Sequence, residues 1–299
     1  MKPETRCGFV ALIGAPNAGK STLLNTLVGT KISIVTPKAQ TTRSRITGVC
    51  IHNNAQLVLV DVPGVFRAKQ RLEKAMVERA WGSAGEADIV LFMHDVKRTP
   101  DDETEQMLEQ VKGSGKPLYL VLNKVDILED KAKLLELGTW FKERAPFKDI
   151  FMISALKKDG IIDVLEVMAK EVPAGPWLFP EDELTDIPVR FMAAEFTREQ
   201  CFLRLREELP YTLFVETEEY KERADGSVEI RQIIVVQNER QKMIVLGKGG
   251  AQIKEIGAAA RQQISRALEQ KVHLFLFVKV REDWKDNPEV YRMLGLNHG

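Results

Sequence analysis

Apolar residues follow two different rhythms along this chain. From residue 9 to about 172, short apolar runs alternate with stretches of helical period. FVALIG (9–14), ITGVCIH (46–52), QLVLVDV (56–62), DIVLFMHDV (88–96), PLYLVLNKV (117–125) and DIFMISA (149–155) read as strands. Helices are predicted at about 20–28, 70–85, 101–113, 131–144 and 160–171, and the NNA between the second and third runs predicts a hairpin turn. Continuous apolar strands separated by helices predict an α/β fold, a doubly wound and mostly parallel sheet. VPAGPWLFPEDELTDIP (172–188), with four prolines and an acidic stretch, reads as a linker. The order then changes to a helix at about 193–209, strands at 211–219 and 227–237, helices at about 239–246 and 250–270, and a strand at 271–280. That predicts a smaller α+β module, α-β-β-α-α-β. The domains expected are 1–172, a linker at 173–188, and 189–299.

With 299 residues there is material for two cores. No apolar run approaches the ~20 residues of a membrane span. The first residues lack the layout of a signal peptide, and the three cysteines, Cys7, Cys50 and Cys201, are too dispersed for a zinc cluster or a disulfide framework. A reducing, cytoplasmic setting is expected. Net charge is zero, which by itself argues against a polyanion partner. Local counting changes that picture, because residues 240–280 carry eight basic residues against two acidic ones.

The candidate chemistry lies at strand ends. GAPNAGKS, Gly14-Ala15-Pro16-Asn17-Ala18-Gly19-Lys20-Ser21, followed by Thr22, closes the first strand and opens the first helix, as a phosphate loop requires. Its glycines turn backbone N–H groups towards a triphosphate, Lys20 reaches the β- and γ-phosphates, and Ser21 offers a hydroxyl to Mg²⁺. The competing reading is a glycine-rich turn without a ligand. Asp61-Val62-Pro63-Gly64 presents a carboxylate to magnesium and the Gly64 N–H to a terminal phosphate. Val65 and Phe66 follow, where many nucleotide switches place a glutamine to hold the attacking water. Asn123-Lys124-Val125-Asp126 selects the base. An ionised Asp126 only accepts hydrogen bonds, and guanine, not adenine, offers it two donors. Asn123 can tie this loop to the phosphate loop, the Lys124 stem can cover the base, and Ser154-Ala155-Leu156 can present an N–H to the guanine O6. GTP is therefore the expected nucleotide.

In the second module, Gly247-Lys248-Gly249-Gly250 stands between two helical stretches. A GxxG loop there clamps the backbone of about four nucleotides. Lys248 and Lys254 add charge, and Ile244, Val245, Ile253 and Ile256 are candidates for the wall of a base groove. The alternative is a tight turn with its apolar neighbours in the core.

With GAPNAGKS, QTTR (Gln40–Arg43), DVPG, NKVD and SAL, followed by the GxxG module, nearly the whole chain resembles the Era family, translation-factor-like GTPases carrying a type II KH domain. The resemblance implies a Mg²⁺ ligand from QTTR, with Thr42 the better match and Thr41 the alternative, beside Ser21 and Asp61. It implies Asn17, Lys20, Thr42 and Gly64 as the residues closest to catalysis. Val62 departs from the family's usual threonine, while an apolar residue at Val65 agrees with it. Asn17 stands where relatives help bind K⁺, or it makes only a loop hydrogen bond. The implied target is the single-stranded 3′ end of 16S rRNA during assembly of the small (30S) subunit, in a monomer with slow hydrolysis. Arg43 and Arg45 are candidates for an internal arginine finger. Peripheral association with the cytoplasmic face of the inner membrane is also described for the family, although no strong amphipathic basic helix is evident here. The rival readings are a P-loop kinase or metabolic NTPase, which NKVD opposes, and a GTP-dependent scaffold whose second domain binds protein or membrane.

Overall fold

The computed structural model describes residues 4–38, 41–64, 74–76, 78, 82, 85–294 and 296. Gln40, Val65, Phe66 and most of the helix expected at about 70–85 lie outside them. Two compact units result: the described residues of 1–33, 42–186 and 294–299 form the first, and those of 34–41 and 187–293 form the second.

Six strands build the first unit: β1 (Arg6–Gly14), β2 (Ile46–His52), β3 (Ala55–Asp61), β4 (Ile89–Asp95), β5 (Leu118–Asn123) and β6 (Ile150–Ile153). They lie in the order β2-β3-β1-β4-β5-β6, and β2 alone runs antiparallel. The β2–β3 hairpin turns through Asn53, whose φ of 55° is a conformation asparagine tolerates better than most residues. Helices α1 (Lys20–Val28), α2 (Asp102–Gly113), α3 (Ala132–Lys142) and α4 (Ile161–Glu171) cover the sheet. Asp101 and Thr104 cap the start of α2 reciprocally, at 2.9 and 3.3 Å. One core cluster joins Val60, Phe92 and Leu122 of the sheet to Met107, Leu137 and Phe141 of the helices. Chain order reverses at β1, which is where ligands bind on such sheets.

The linker docks along the first unit. Gln56, fully buried on β3, accepts from the amides of Leu178 and Phe179 at 2.8 and 3.0 Å and donates to the Phe179 carbonyl at 2.8 Å. The Val49 amide donates to Leu184 O at 2.8 Å, so edge strand β2 is partly covered.

The second unit contains α5 (Val189–Arg204), β7 (Phe214–Glu222), β8 (Val228–Val236), α6 (Glu239–Leu246), α7 (Ala251–Leu268) and β9 (Val272–Val280). This is the expected α-β-β-α-α-β order. The sheet runs β7-β8-β9, with β7–β8 antiparallel and β8–β9 parallel. Helix α5 begins directly after Pro188 and ends where Leu205 turns extended, at φ −89° and ψ 155°. That start is earlier than the apolar pattern indicates, because Val189–Met192 are exposed or only partly covered. A short α8 (Pro288–Met293), absent from the sequence reading, follows β9.

Residues 34–41 belong to this unit although they precede it by some 150 positions. Ile34 joins a cluster with Ala193, Phe196, Ile230 and Ile264. The Val35 amide donates to Glu199 Oε1 at 2.7 Å, and Arg198 Nη2 donates to the Thr41 carbonyl at 2.6 Å.

Gln56→Leu removes the side chain that answers both linker amides. Each such unmade bond costs roughly 1–3 kcal/mol when buried and less where water can reach it, so a loss of about 2 kcal/mol is expected. Denaturant unfolding, together with new proteolytic cleavage near 177–181, checks this outcome.

Candidate functional site

Between β1 and α1 the chain makes a loop that side chains would obstruct. A Cβ on Gly14 would lie 2.3 Å from the Met93 carbonyl oxygen, and one on Gly19 would lie 2.1 Å from Asn123 Nδ2. Gly19 caps α1 in the left-handed region, at φ 99°, and Asn17 adopts a φ of 64° in the same loop. Asn17 is exposed while Ala15 and Ala18 are buried, and Pro16 and Thr22 are partly covered. The amides at the start of α1, with its dipole, thus face a concave backbone suited to an anion.

Lys20 is only 6% exposed, and its Nζ donates to the loop's own carbonyls, Gly14 O at 2.8 Å and Ala15 O at 3.1 Å. Burial depresses its pKa to about 8, while the charge of Asp61 acts in the opposite direction. Gly64 approaches the same place: a Cβ there would stand 2.8 Å from Lys20 Nζ and 3.1 Å from the Pro16 nitrogen. Val62, Pro63 and Gly64 are all buried. Val65 lies outside the described residues.

Asp61, at the end of β3, is fully buried. Burial raises its pKa, opposed by the Lys20 charge and by hydrogen bonds from Ser21, Ser33 and Thr42. All the hydrogen bonds this carboxylate accepts from those hydroxyls fall on Oδ2, which Ser21 Oγ reaches directly and Ser33 and Thr42 reach at 3.4 Å. Ser21 Oγ and Thr42 Oγ1 are 3.0 Å apart. Asp61 Oδ1 is buried with no hydrogen-bond partner among the described residues. A group of hard oxygens with one unsatisfied carboxylate oxygen fits Mg²⁺, which prefers oxygen ligands. The Thr41 hydroxyl turns elsewhere, bonded to Thr36 Oγ1 at 2.7 Å and donating to Lys38 O at 2.8 Å.

Asn123 ties three loops together. Its Nδ2 donates to Ala18 O at 2.8 Å, and its Oδ1 accepts from the Ala155 amide at 3.0 Å. The Ala155 carbonyl in turn accepts from Thr26 of α1 at 2.9 Å. Ser154 is buried and Leu156 is 74% exposed. Lys124 takes a left-handed φ of 71°, and its ammonium is held by Asp95, at the end of β4. Asp95, which stands opposite Asn123 in the sheet register, is a partner that motif spacing does not show. Val125 and Asp126 open a 3₁₀ turn in which Asp126 is exposed and available to a base. Neither arginine finger candidate stands unengaged: Arg45 pairs with Glu86 at 3.4 Å, and Arg43 is buried and has partners.

In the second unit, Gly247, Gly249 and Gly250 all have positive φ, at 71°, 59° and 79°. A Cβ on Gly247 would meet Gln252 Cβ at 2.6 Å, whereas Gly249 and Gly250 face open space. Lys248 is exposed in the loop, and Lys254 stands exposed on the first turns of α7. Ile244 is 48% exposed, but Val245 and Ile256 are fully buried. Those two are core residues, which corrects the expectation that they line a base groove. Ile253 and Lys254 line a groove of about 450 Å³ between α7 and β9, with Gly257, Arg261, Phe275 and Phe277. Phe275 and Phe277 are 44% and 47% exposed on the edge strand. Their exposure is not legible in the sequence, because LFLFV (274–278) is apolar throughout and reads as buried on both faces.

A family model described as a 50S ribosome-binding GTPase matches residues 9–124, and one described as a KH domain matches residues 208–285. A GTPase Era from Brucella suis is 56% identical over 98% of this chain and 94% of its own length. One from Mesorhizobium japonicum is 54% identical over the same shares. A crystal structure of a single-residue variant of Aquifex aeolicus Era bound to GDP·AlF4⁻ is similar at 40% identity, TM-score 0.92, covering 97% of this chain and 99% of that one. The same figures hold for a structure of Era with MgGDPNP and nucleotides 1506–1542 of 16S ribosomal RNA.

A phosphate beside Lys20 raises that depressed pKa, so GDP binding must take up a proton once the pH passes about 8. Below that value the ammonium is already present and this group leaves affinity flat. Above it, affinity falls, by up to roughly tenfold per pH unit. Calorimetry at pH 8.5 in two buffers of different ionisation enthalpy will show the uptake, and at pH 6.5 it will disappear.

Proposed function

Because the chain belongs to the Era family of GTPases, we propose that it is a slow GTP-driven switch that binds single-stranded 16S rRNA near its 3′ end and assists assembly of the small (30S) ribosomal subunit. One observation carries this reading. A guanine-selecting phosphate-loop site and a GxxG loop beside exposed phenylalanines occur in one chain, in the order the family has them.

Hydrolysis of GTP is the family activity, and the residues divide the work as follows. Lys20 exchanges its two carbonyl partners for β- and γ-phosphate oxygens. The Gly64 amide meets the γ-phosphate, where absence of a Cβ permits close approach. Ser21, Thr42 and Asp61 would hold Mg²⁺, which when bound neutralises charge developing on the transferred phosphoryl group. Asp126 accepts the guanine N1–H and exocyclic amine, and Asn123 keeps that loop in register with the phosphate loop. Because Val65 has no polar side-chain atom, main-chain groups of the switches or a second water orient the attacking water. Asn17 would help hold K⁺, which would supply positive charge to the transferred phosphoryl group in place of an arginine worth ~10³–10⁵ in rate. A slow clock suits a monomeric switch and suits metabolic turnover badly.

For RNA, Gly249 and Gly250 admit phosphates, the amides opening α7 receive them, and Phe275 and Phe277 offer faces on which bases stack.

Gly249→Asp with Gly250→Asp will cut affinity for a 3′-end RNA oligonucleotide at least tenfold while GDP affinity stays unchanged. RNA binding that survives this variant would overturn the assignment of the GxxG loop as the RNA clamp. Single-turnover GTP hydrolysis will run faster in KCl than in NaCl at equal ionic strength, and Asn17→Ala will abolish the difference. Equal rates in the unaltered protein would remove K⁺ from the mechanism.

A further inference from the structure

The groove between α7 and β9 does not end at the phenylalanines. At Arg261 it opens into a second recess of about 400 Å³, bordered by Ser265, Arg266, Lys271 and His273. Its character differs from that of the first part. The first part adds Ile253, Leu274 and the two phenylalanines to Lys254 and Arg261, whereas the second has three cations, no carboxylate and no phenylalanine. Arg261, Arg266 and Lys271 form no ion pair among the described residues. Asp225, whose carboxylate lies within the field of Lys271, is already bonded to the Ser227 amide at 3.0 Å and hydroxyl at 2.6 Å. His273 Nε2 is buried with no hydrogen-bond partner among the described residues. Three cations around one hollow that no carboxylate lines call for an anion with several acceptor oxygens.

We propose that this recess is a second subsite for the nucleic-acid strand, receiving backbone phosphates after the bases held at Phe275 and Phe277. The proposal rests on the RNA reading above. Arg261 is common to both parts, so a strand leaving the first enters the second. From Lys254 to Arg266 the helix advances about 18 Å, at ~1.5 Å per residue. That is room for ~5 nucleotides at a stacked spacing of ~3.4 Å, in addition to the part gripped by the GxxG loop. The recess lacks an exposed aromatic side chain, so it adds charge and strand length rather than base choice.

The test uses the full-length protein with Arg266→Ala and Lys271→Ala combined, and single-stranded RNAs of five and ten nucleotides titrated across KCl concentration. In the unaltered protein the ten-mer will show the steeper salt dependence. In the variant the slope for the ten-mer will fall by ~1.4, about 0.7 for each phosphate no longer neutralised, while the five-mer keeps its affinity and slope. An unchanged ten-mer slope, or an equal fall for both lengths, overturns the subsite and leaves the GxxG groove standing. Failure of the unaltered protein to bind either RNA overturns the RNA reading and the subsite with it. Loss of binding to phosphatidylglycerol vesicles, with both RNA slopes unchanged, overturns the subsite in favour of a lipid surface.

Discussion

Lys20 and Asp61 are a buried cation and a buried anion, and the first unit is organised around the need to satisfy them. Removing such charges from water costs several kcal/mol each unless other dipoles replace the solvent. Here the lysine leans on two carbonyls of its own loop, and the aspartate gathers hydroxyls from three separate segments. Both arrangements are incomplete, since Asp61 Oδ1 has no partner among the described residues and Lys20 is held well below the usual lysine range. A triphosphate with its dication would complete both together. On the proposed function, ligand binding would continue what folding leaves unfinished.

The position of this pair follows from sheet order. β1 is flanked by β3 and β4, so the loop after β1 and the end of β3 emerge side by side. Asn123 arrives from β5, two strands away, and its amide bridges the phosphate loop and the loop after β6. One side chain with a donor at one end and an acceptor at the other thus fixes three connections that local propensity leaves open. It also explains why Gly19 must be glycine, since the carboxamide occupies the place of its Cβ.

The sequence made most of this site legible because its chemistry is written in short contiguous motifs at the ends of apolar strands. GAPNAGKS, DVPG and NKVD each stand at a strand end, and α1 begins and ends where the pattern predicts. Contacts between segments distant in sequence were not legible. Neither the choice between Thr41 and Thr42 nor the hold of Asp95 on Lys124 can be read from spacing, because each depends on which loop a side chain faces. In the second unit, alternation misled in both directions. Val245 and Ile256 lie near the GxxG loop but turn inwards, while Phe275 and Phe277 stand on an edge strand whose neighbours are equally apolar. An edge strand that binds a ligand carries the same residues as one that closes a core, so composition cannot separate them.

The excursion of residues 34–41 into the second unit has a consequence for anyone cutting this protein apart. A fragment that starts after the linker looks like a self-contained module by sequence, yet it lacks Ile34, a member of one of its apolar clusters. It also leaves Glu199 and Arg198 without the main-chain partners that Val35 and Thr41 supply. The complementary fragment keeps residues 34–41 but deprives them of their surroundings, and they lie between Ser33 and Thr42, two of the hydroxyls that reach Asp61. Dissection at the linker would thus expose a hydrophobic seat in one piece and loosen the hydroxyls that reach Asp61 in the other. Weak activity in either fragment would say little about the intact chain.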